Sequence, residues 1–190
     1  MQLLDVLLTG VGLSMDAGAV GMSNGLAEPE MKTPKVLLIA LFYGVFQGVM
    51  PLIGYFASGL FADAVASVAP YVALILLGFI GGKMIFEAFK KTEEEHKPLS
   101  IVALLVQAIA TSVDALAVGV SLLALESAGE LAVNVFVCCG IFAAVTFAIG
   151  VASVYIGKKF GTVLADKAEF IGGLILVIIG IKIFVEGVFF

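Results

Sequence analysis

The sequence lacks most of the side chains on which soluble enzymes and nucleic-acid-binding proteins depend. It has no tryptophan, no arginine and one histidine, and 13% of its 190 residues are charged, against about 25% in soluble domains. Nothing in it predicts a nucleic-acid surface. The two cysteines, Cys138 and Cys139, are adjacent in an apolar run. Neighbouring helical residues point about 100° apart, so we interpret them as packing residues rather than a disulfide or a metal pair.

Hydrophobic residues make up 62% of the chain and form six long runs. A transmembrane helix needs about 20 mainly apolar residues, which each run approaches or exceeds. We therefore predict an all-α integral membrane protein, in contact with the lipid bilayer and without a separate soluble domain. The predicted segments are 3–23, 36–60, 69–89, 99–125, 131–156 and 169–189.

The positions of the lysines predict how these segments are oriented. Eight of the ten lysines lie in the connections 24–35, 90–98 and 157–168, and none lies in the other two connections or at the termini. Basic residues concentrate in cytoplasmic loops, so these three connections are predicted to be cytoplasmic and both termini to lie outside. The remaining lysines, Lys83 and Lys182, fall within apolar segments.

Two polar motifs occur twice in the chain at nearly the same spacing. Ser14–Ala17 (Ser-Met-Asp-Ala) returns 98 residues later as Ser112–Ala115 (Ser-Val-Asp-Ala). The lysine and glutamate of Gly82–Glu87 return 99 residues later in Ile181–Glu186. The matched Asp, Lys and Glu indicate an internal repeat rather than a chance similarity between apolar stretches.

This repeat divides the chain into two halves of three segments each, 1–92 and 93–190. Because three is an odd number, the second half must enter the membrane in the opposite sense to the first. Inverted repeats are typical of secondary transporters, which bind their substrate near the bilayer midplane where the repeats meet. The predicted fold is therefore six transmembrane helices arranged as two inverted three-helix repeats.

Asp16 and Asp114 are the charges that the repeat duplicates. A charge at the centre of a bilayer costs about 3 kcal/mol on insertion scales, so a chain that carries two in matched contexts is expected to use both. At helical spacing, each aspartate lies on a stripe of small and polar residues that permits close helix packing. The polar residues predicted to line a transport pathway are Thr9 and Ser23 around Asp16, and Gln107 and Ser121 around Asp114.

Together the two aspartates would form a doubly negative site for a divalent cation, with hydroxyls from Ser14 and Ser112. Such oxygen ligands suit manganese, magnesium or calcium. Asn24 is a further candidate ligand near the cytoplasmic mouth, or alternatively the C-cap of the first helix. The alternative for the aspartates is a neutral carboxyl group that hydrogen-bonds to a neighbouring helix.

The second segment contains Pro51, which has no backbone N–H to donate to the carbonyl of Gln47, four residues earlier. Proline clashes with that carbonyl and leaves it without its helical donor. Gln47 is therefore predicted to offer a side-chain and a backbone oxygen to a cation path. The alternative is a kinked packing helix in which Gln47 bonds to a neighbour.

Two lysine–glutamate pairs lie inside apolar segments, Lys83 with Glu87 and Lys182 with Glu186. Residues four apart can pair within a helix. The favoured interpretation is that these side chains are anchors that reach towards the membrane interface. The alternative is an ion-pair gate on each side of the membrane, as an inverted repeat would produce.

Five stretches carry a set of motifs in family-like order: Ser14–Ala17, Phe42–Gly54, Gly81–Glu87, Ala110–Gly119 and Lys167–Gly173. Together they resemble the MntP-type manganese efflux pumps, within the lysine-exporter superfamily, over the whole chain. The resemblance implies manganese export across the bacterial inner membrane, with Asp16 and Asp114 required. In some members the position of Gln47 is a glutamate, so the neutral residue here lowers the charge of any site by one.

The leading hypothesis is an exporter of Mn²⁺ that works by alternating access and is not an enzyme. No nucleotide-binding motif of the Gly-x-x-x-x-Gly-Lys-Ser/Thr type is present, so ion coupling is the expected energy source. In this interpretation Asp16 and Asp114 bind the cation and take up protons when it leaves. Mn²⁺ is the transported substrate, and no permanently bound cofactor is expected.

Three other functions are open at this point. An intramembrane aspartyl protease would use two buried aspartates that share a proton, although such enzymes are expected to have unequal aspartate contexts. A thiol oxidoreductase of the same superfamily would need cysteines on symmetry-related helices. Export of a small amino acid would use the same transporter fold. The sequence does not indicate an oligomeric state.

Overall fold

The structure, a computed structural model, is helical wherever it has regular secondary structure. It describes residues 1–58, 71, 74, 75, 77–83, 85, 86, 99–163 and 168–189, and the described residues between 71 and 86 are helical. Six helices have defined bounds: α1 (Leu3–Ala27), α2 (Thr33–Ala57), α3 (Ile101–Thr111), α4 (Val113–Ser127), α5 (Val135–Val163) and α6 (Ala168–Phe189).

Four stretches of helix are long and apolar enough to cross a membrane: Leu3–Ala27, Thr33–Ala57, Ile101–Ser127 and Val135–Phe160. Large apolar side chains such as Leu8, Phe56 and Phe79 are exposed on the outside of the bundle, as expected for contact with lipid. The chain is therefore a multi-pass α-helical membrane protein, which confirms the predicted class. The predicted connection 90–98 and much of the segment 69–89 lie outside the described residues, so the count of six spans stays a prediction.

The helices extend further into the polar connections than predicted. Parts of 24–35 and 157–168 are helical, because α1 and α5 continue past the last apolar residues. The interpretation of Asn24 as a C-cap is wrong, since the cap is Glu28, whose amide donates to the Asn24 carbonyl at 3.1 Å. Hydropathy marks only the part of a helix inside hydrocarbon, whereas polar residues at the interface do not end it.

Hydrogen bonds join the connections at two opposite ends of the bundle. At one end, Tyr55 near the end of α2 donates to Glu126 of α4, and the amino terminus donates to the carbonyl of Glu130. At the other end, Lys158 of α5 donates to the carbonyl of Met31, between α1 and α2. The amino terminus therefore lies at the same end as the α4–α5 connection, and the α1–α2 connection lies at the other.

Glycines form the closest helix crossings. Where α1 crosses α5, a Cβ added at Gly25 would lie 2.2 Å from the carbonyl oxygen of Val154. Where α2 crosses α4, a Cβ at Gly119 would lie 2.0 Å from the carbonyl oxygen of Pro51. Backbones this close leave no room for any side chain, as is common between membrane helices. These two crossings hold the end of α1 and the middle of α4 in place.

Candidate functional site

Asp16 lies near the midpoint of α1 and forms an ion pair with Lys182 of α6. The Nζ atom of Lys182 is 2.9 Å from Oδ1 of Asp16. The aspartate side chain is 14% exposed and the lysine side chain 48%. Lys182 thus reaches a carboxylate on another helix, a contact that the predicted pairing with Glu186 did not include. The Glu186 side chain lies outside what the structure describes.

Asp114 lies at a break in the predicted fourth segment. The segment was expected to be one helix, but α3 ends at Thr111 and α4 begins at Val113. Ser112 between them has φ −111° and ψ 6°, which is not helical. Asp114 therefore falls in the first turn of α4, where its Oδ1 accepts a hydrogen bond from the Ala115 amide at 2.9 Å.

The two aspartates lie near enough to each other for their charges to interact, with Asp16 partly buried and Asp114 exposed on the described part of the structure. The carboxylate of Asp114 interacts with the charges of both Asp16 and Lys182. Helical packing therefore brings together two copies of one motif that lie 98 residues apart in the sequence. Among the described residues, this group comprises two carboxylates and one ammonium, from α1, α4 and α6.

Gln47 of α2 and Thr146 of α5 are fully buried. Gln47 Nε2 donates to the Leu13 carbonyl at 3.0 Å, one turn of α1 before Asp16. Among the described residues, Gln47 Oε1 and Thr146 Oγ1 are the buried side-chain atoms without a hydrogen-bond partner. An unsatisfied buried oxygen costs about 1–3 kcal/mol, so two of them call for an explanation. Sequence reasoning proposed Gln47 but not Thr146, although Thr146 occupies the equivalent place in the second half.

The serines of both motifs donate to their own helices. Ser14 Oγ donates to the Val11 carbonyl at 2.7 Å, and Ser112 Oγ donates to that of Ala108 at 2.7 Å. Both side chains are fully buried. Each hydroxyl oxygen keeps lone pairs with which it can act as an acceptor or a ligand.

Asn24 and Gln107 form a closed network with Tyr43. The Asn24 amide donates to Tyr43 Oη at 2.8 Å and to Gln107 Oε1 at 2.9 Å, and Gln107 Nε2 donates back to Asn24 Oδ1 at 3.2 Å. All three side chains are buried. The structure therefore brings these two predicted residues together, but it satisfies their amides with each other and with a tyrosine.

The other predicted pathway residues lie in varied surroundings. Ser23 is buried and donates to the carbonyl of Gly172 in α6 at 2.8 Å. Ser121 is exposed and donates to the Ala117 carbonyl of its own helix at 3.0 Å. Pro51 is buried within α2, which continues through it. Thr9 is half-buried and Lys83 exposed. Glu87 lies outside the described residues.

The two cysteines lie on α5 and are buried. Cys138 and Cys139 are free thiols packed in the apolar interior. Across the described residues, no three side chains of His, Cys, Asp or Glu come together. Any cation between the two aspartates would therefore need neutral oxygens to complete its ligands. Carboxylate, amide and hydroxyl oxygens form a donor set for a hard divalent cation.

These features define a class of protein: a multi-pass helical membrane protein with two carboxylates of a repeated motif near the midpoints of two membrane-spanning stretches. Charges in such a position usually serve the passage of an ion or substrate.

Comparison with known proteins identifies the family. Residues 30–184 match the family model described as "Putative manganese efflux pump". Two similar relatives, each named "Putative manganese efflux pump MntP", come from Rippkaea orientalis and Ruminiclostridium cellulolyticum. The first is 45% identical over 98% of both chains. The second is 45% identical over 100% of this chain and 99% of its own. A relative of the same name from Campylobacter hominis is 40% identical over 96% of this chain and 97% of its own.

The chain therefore belongs to the MntP family, as its motifs predicted. This family is one of transporters, which confirms the expectation that the protein is not an enzyme. No solved structure matches the chain.

Proposed function

We propose that this protein exports Mn²⁺ from the cytoplasm and binds it between Asp16 and Asp114. One observation carries the proposal: the repeated carboxylates interact with each other near the midpoints of membrane-spanning helices. It occurs in a chain whose full-length relatives are named manganese efflux pumps. Two negative charges match the charge of a divalent cation, and the surrounding oxygens match its preference for hard ligands.

The neutral ligands in this proposal are Gln47 and Thr146. Gln47 is anchored to the Leu13 carbonyl through its nitrogen, which leaves its oxygen available. Thr146 lies on α5 between two residues that contact α1: Val145 faces Gly10, and Ile149 faces Gly18. Both oxygens are therefore level with the part of α1 that carries Asp16. Ser14 and Ser112 are further ligands, through lone pairs that their backbone hydrogen bonds do not use.

Asn24 has a different role in this proposal. Its amide oxygen and nitrogen are engaged by Gln107 and Tyr43. The network joins α1, α2 and α3 about two turns of α1 from Asp16. We assign it to holding these helices together beside the pathway rather than to binding the cation.

Transport proceeds by alternating access between two inverted repeats. Helix contacts support this arrangement, because contacts between α1 and α5 have counterparts between α4 and α2. Gly119 faces the Pro51 carbonyl, and Gly21, 98 residues earlier, faces the carbonyl of Gly150, 99 residues after Pro51. The proposed repeats are residues 1–92 and 93–190. An ion gradient supplies the energy.

The proposed location is the bacterial inner membrane, with both termini outside and the connections 24–35, 90–98 and 157–168 in the cytoplasm. The contact between Lys158 and Met31 supports this topology, because it joins two lysine-bearing regions at one end of the bundle. The amino terminus contacts Glu130 at the opposite end.

Reconstituted protein tests the proposal. Mn²⁺ flux into proteoliposomes is measured for the wild type, Asp16→Asn and Asp114→Asn, with Asp5→Asn on α1 as the control because Asp5 is exposed near the amino terminus. We expect each site variant to lose about tenfold or more of the flux, since each removes half of the negative charge that binds the ion. The control should stay within about twofold. Transport at the wild-type rate by either site variant would contradict the proposal.

The same vesicles test the choice of cation. Mg²⁺, Ca²⁺ and lysine are added in excess as competitors of Mn²⁺ flux. We expect Mn²⁺ to be preferred over lysine, because two carboxylates match the charge of a divalent cation. Strong competition by lysine would instead favour an amino-acid exporter.

A further inference from the structure

The ion pair between Lys182 and Asp16 occupies the place that a transported cation needs. These residues are 166 positions apart in the sequence, and the ammonium lies 2.9 Å from the carboxylate oxygen. The ammonium takes up a lone pair and part of the negative charge of the carboxylate that a metal ion would use. A divalent cation beside the ammonium would also be repelled by its charge. Binding of the cation at Asp16 is therefore favoured when Lys182 moves away.

The charges of the site change in step with this movement. With Lys182 in place and both aspartates ionised, these three side chains carry a single net negative charge. When the ammonium leaves, the site becomes doubly negative and balances a divalent cation. When the cation replaces the ammonium, the two carboxylates are never left without a positive partner. The ammonium and the cation are also never present together, which would leave excess positive charge inside the membrane.

The side chain of Lys182 is able to make this movement. Its side chain is 48% exposed, whereas that of Asp16 is 14% exposed. A lysine has a flexible four-carbon stem that ends in a compact charge, so it can withdraw without a change in the backbone. The carboxylate, in contrast, stays fixed on α1.

We infer that Lys182 is an internal counter-ion of the cation site. It neutralises Asp16 when the protein is empty, and the incoming cation displaces it. This inference rests on the proposed function and deepens it. It also gives the two aspartates different roles. The negative charge of Asp16 is balanced by the ammonium of Lys182 in the empty protein, and not by an incoming proton.

The test is Mn²⁺ affinity, measured by titration calorimetry on purified protein. Lys182→Met removes the competing ammonium, so Mn²⁺ should bind about two- to fivefold more tightly, as expected for loss of a partly exposed ion pair. Lys182→Arg keeps the charge and should restore the affinity to within about twofold of the wild type. Lys158→Met is the matched control: it removes an equal charge at the far end of α5, and the affinity should not change.

The same substitution in the Asp16→Asn protein shows whether the effect of Lys182 on Mn²⁺ affinity depends on Asp16. In the Asp16→Asn protein, the further change Lys182→Met should alter the affinity by less than about twofold, because the neutral side chain no longer holds the ammonium. Lys182→Gln replaces Lys182→Met if the latter does not purify as folded protein.

The outcomes separate this inference from the proposed function. An unchanged or weaker affinity in Lys182→Met, with normal weakening in Asp16→Asn, would overturn the counter-ion role alone. A wild-type protein that binds no Mn²⁺, or an Asp16→Asn protein that binds it equally well, would overturn the proposed function itself.

Discussion

The two halves of the protein carry the same motif but give its aspartate different surroundings. In the first half, Asp16 lies within a continuous helix and pairs with Lys182. In the second, Asp114 follows a break at Ser112 and accepts a bond from the amide of Ala115. The two copies of the motif therefore keep the same serine and aspartate, whereas the backbone around them differs.

The residue before the motif serine explains the difference. In the second half it is Thr111, whose Oγ1 donates to the Gln107 carbonyl at 2.9 Å, beside the bond from Ser112 to Ala108. Two successive hydroxyls thus bond back to carbonyls four residues earlier, which bends or breaks a helix. The first half has Leu13 in this place, and its helix stays intact.

The largest effect that distinguishes the halves should come from equivalent glycines at the helix crossings. Gly119→Ala would place a Cβ 2.0 Å from the Pro51 carbonyl, whereas Gly21→Ala would place one 3.6 Å from that of Gly150 and 3.3 Å from the side chain of Val154. We expect Gly119→Ala to destabilise the protein by about 3 kcal/mol and Gly21→Ala by about 1 kcal/mol or less. Thermal unfolding in detergent measures both. Equal loss of stability would mean that the two crossings are equally tight.

A smaller effect is expected from the equivalent buried oxygens. Thr146→Val removes an unsatisfied hydroxyl with little change in shape, so stability should not fall. If the oxygen is a ligand, as proposed, Mn²⁺ affinity should drop about tenfold, which corresponds to about 1.4 kcal/mol. Gln47→Leu should cause a similar drop in affinity, and should also destabilise the protein because it loses the bond to Leu13. Calorimetric titration that finds wild-type affinity in both variants would exclude these two oxygens as ligands.

The smallest effect concerns Tyr43, whose counterpart in the second half is not a tyrosine. Tyr43 corresponds to Phe142 in the second half, 99 residues later, so Tyr43→Phe makes the two halves alike. It removes hydrogen bonds to Asn24 and Gln107. We expect a destabilisation of about 0.6 kcal/mol, the average for hydrogen bonds between membrane helices, and no change in Mn²⁺ affinity. Weaker binding in this variant would place the network within the cation site.

Much of the fold was predictable from patterns that act locally. Long apolar runs define helices that cross the membrane, and the repeated Asp16 and Asp114 lie near the midpoints of such helices. Helix ends were less predictable because apolar character stops at the hydrocarbon boundary, whereas α1 and α5 continue beyond it.

The two carboxylates of the site were predictable from the sequence, but the ion pair between Asp16 and Lys182 was not. Nothing in the sequence places Lys182 beside Asp16, because that contact depends on how α6 packs against α1. The break at Ser112 was also missed, although adjacent threonine and serine within an apolar segment are a usable signal for it. Thr146 was identified only by its unsatisfied oxygen in the folded protein.

The central claim is that Asp16 and Asp114 hold one cation together. The most direct measurement is the number of Mn²⁺ ions bound per chain and their affinity, in the wild type, in each single Asn variant and in the double variant. We expect one Mn²⁺ ion per chain. Each single variant should lower its affinity, and the double variant should lower the affinity by a factor smaller than the product of the two single factors. Two ions per chain, each lost in a different single variant, would contradict it.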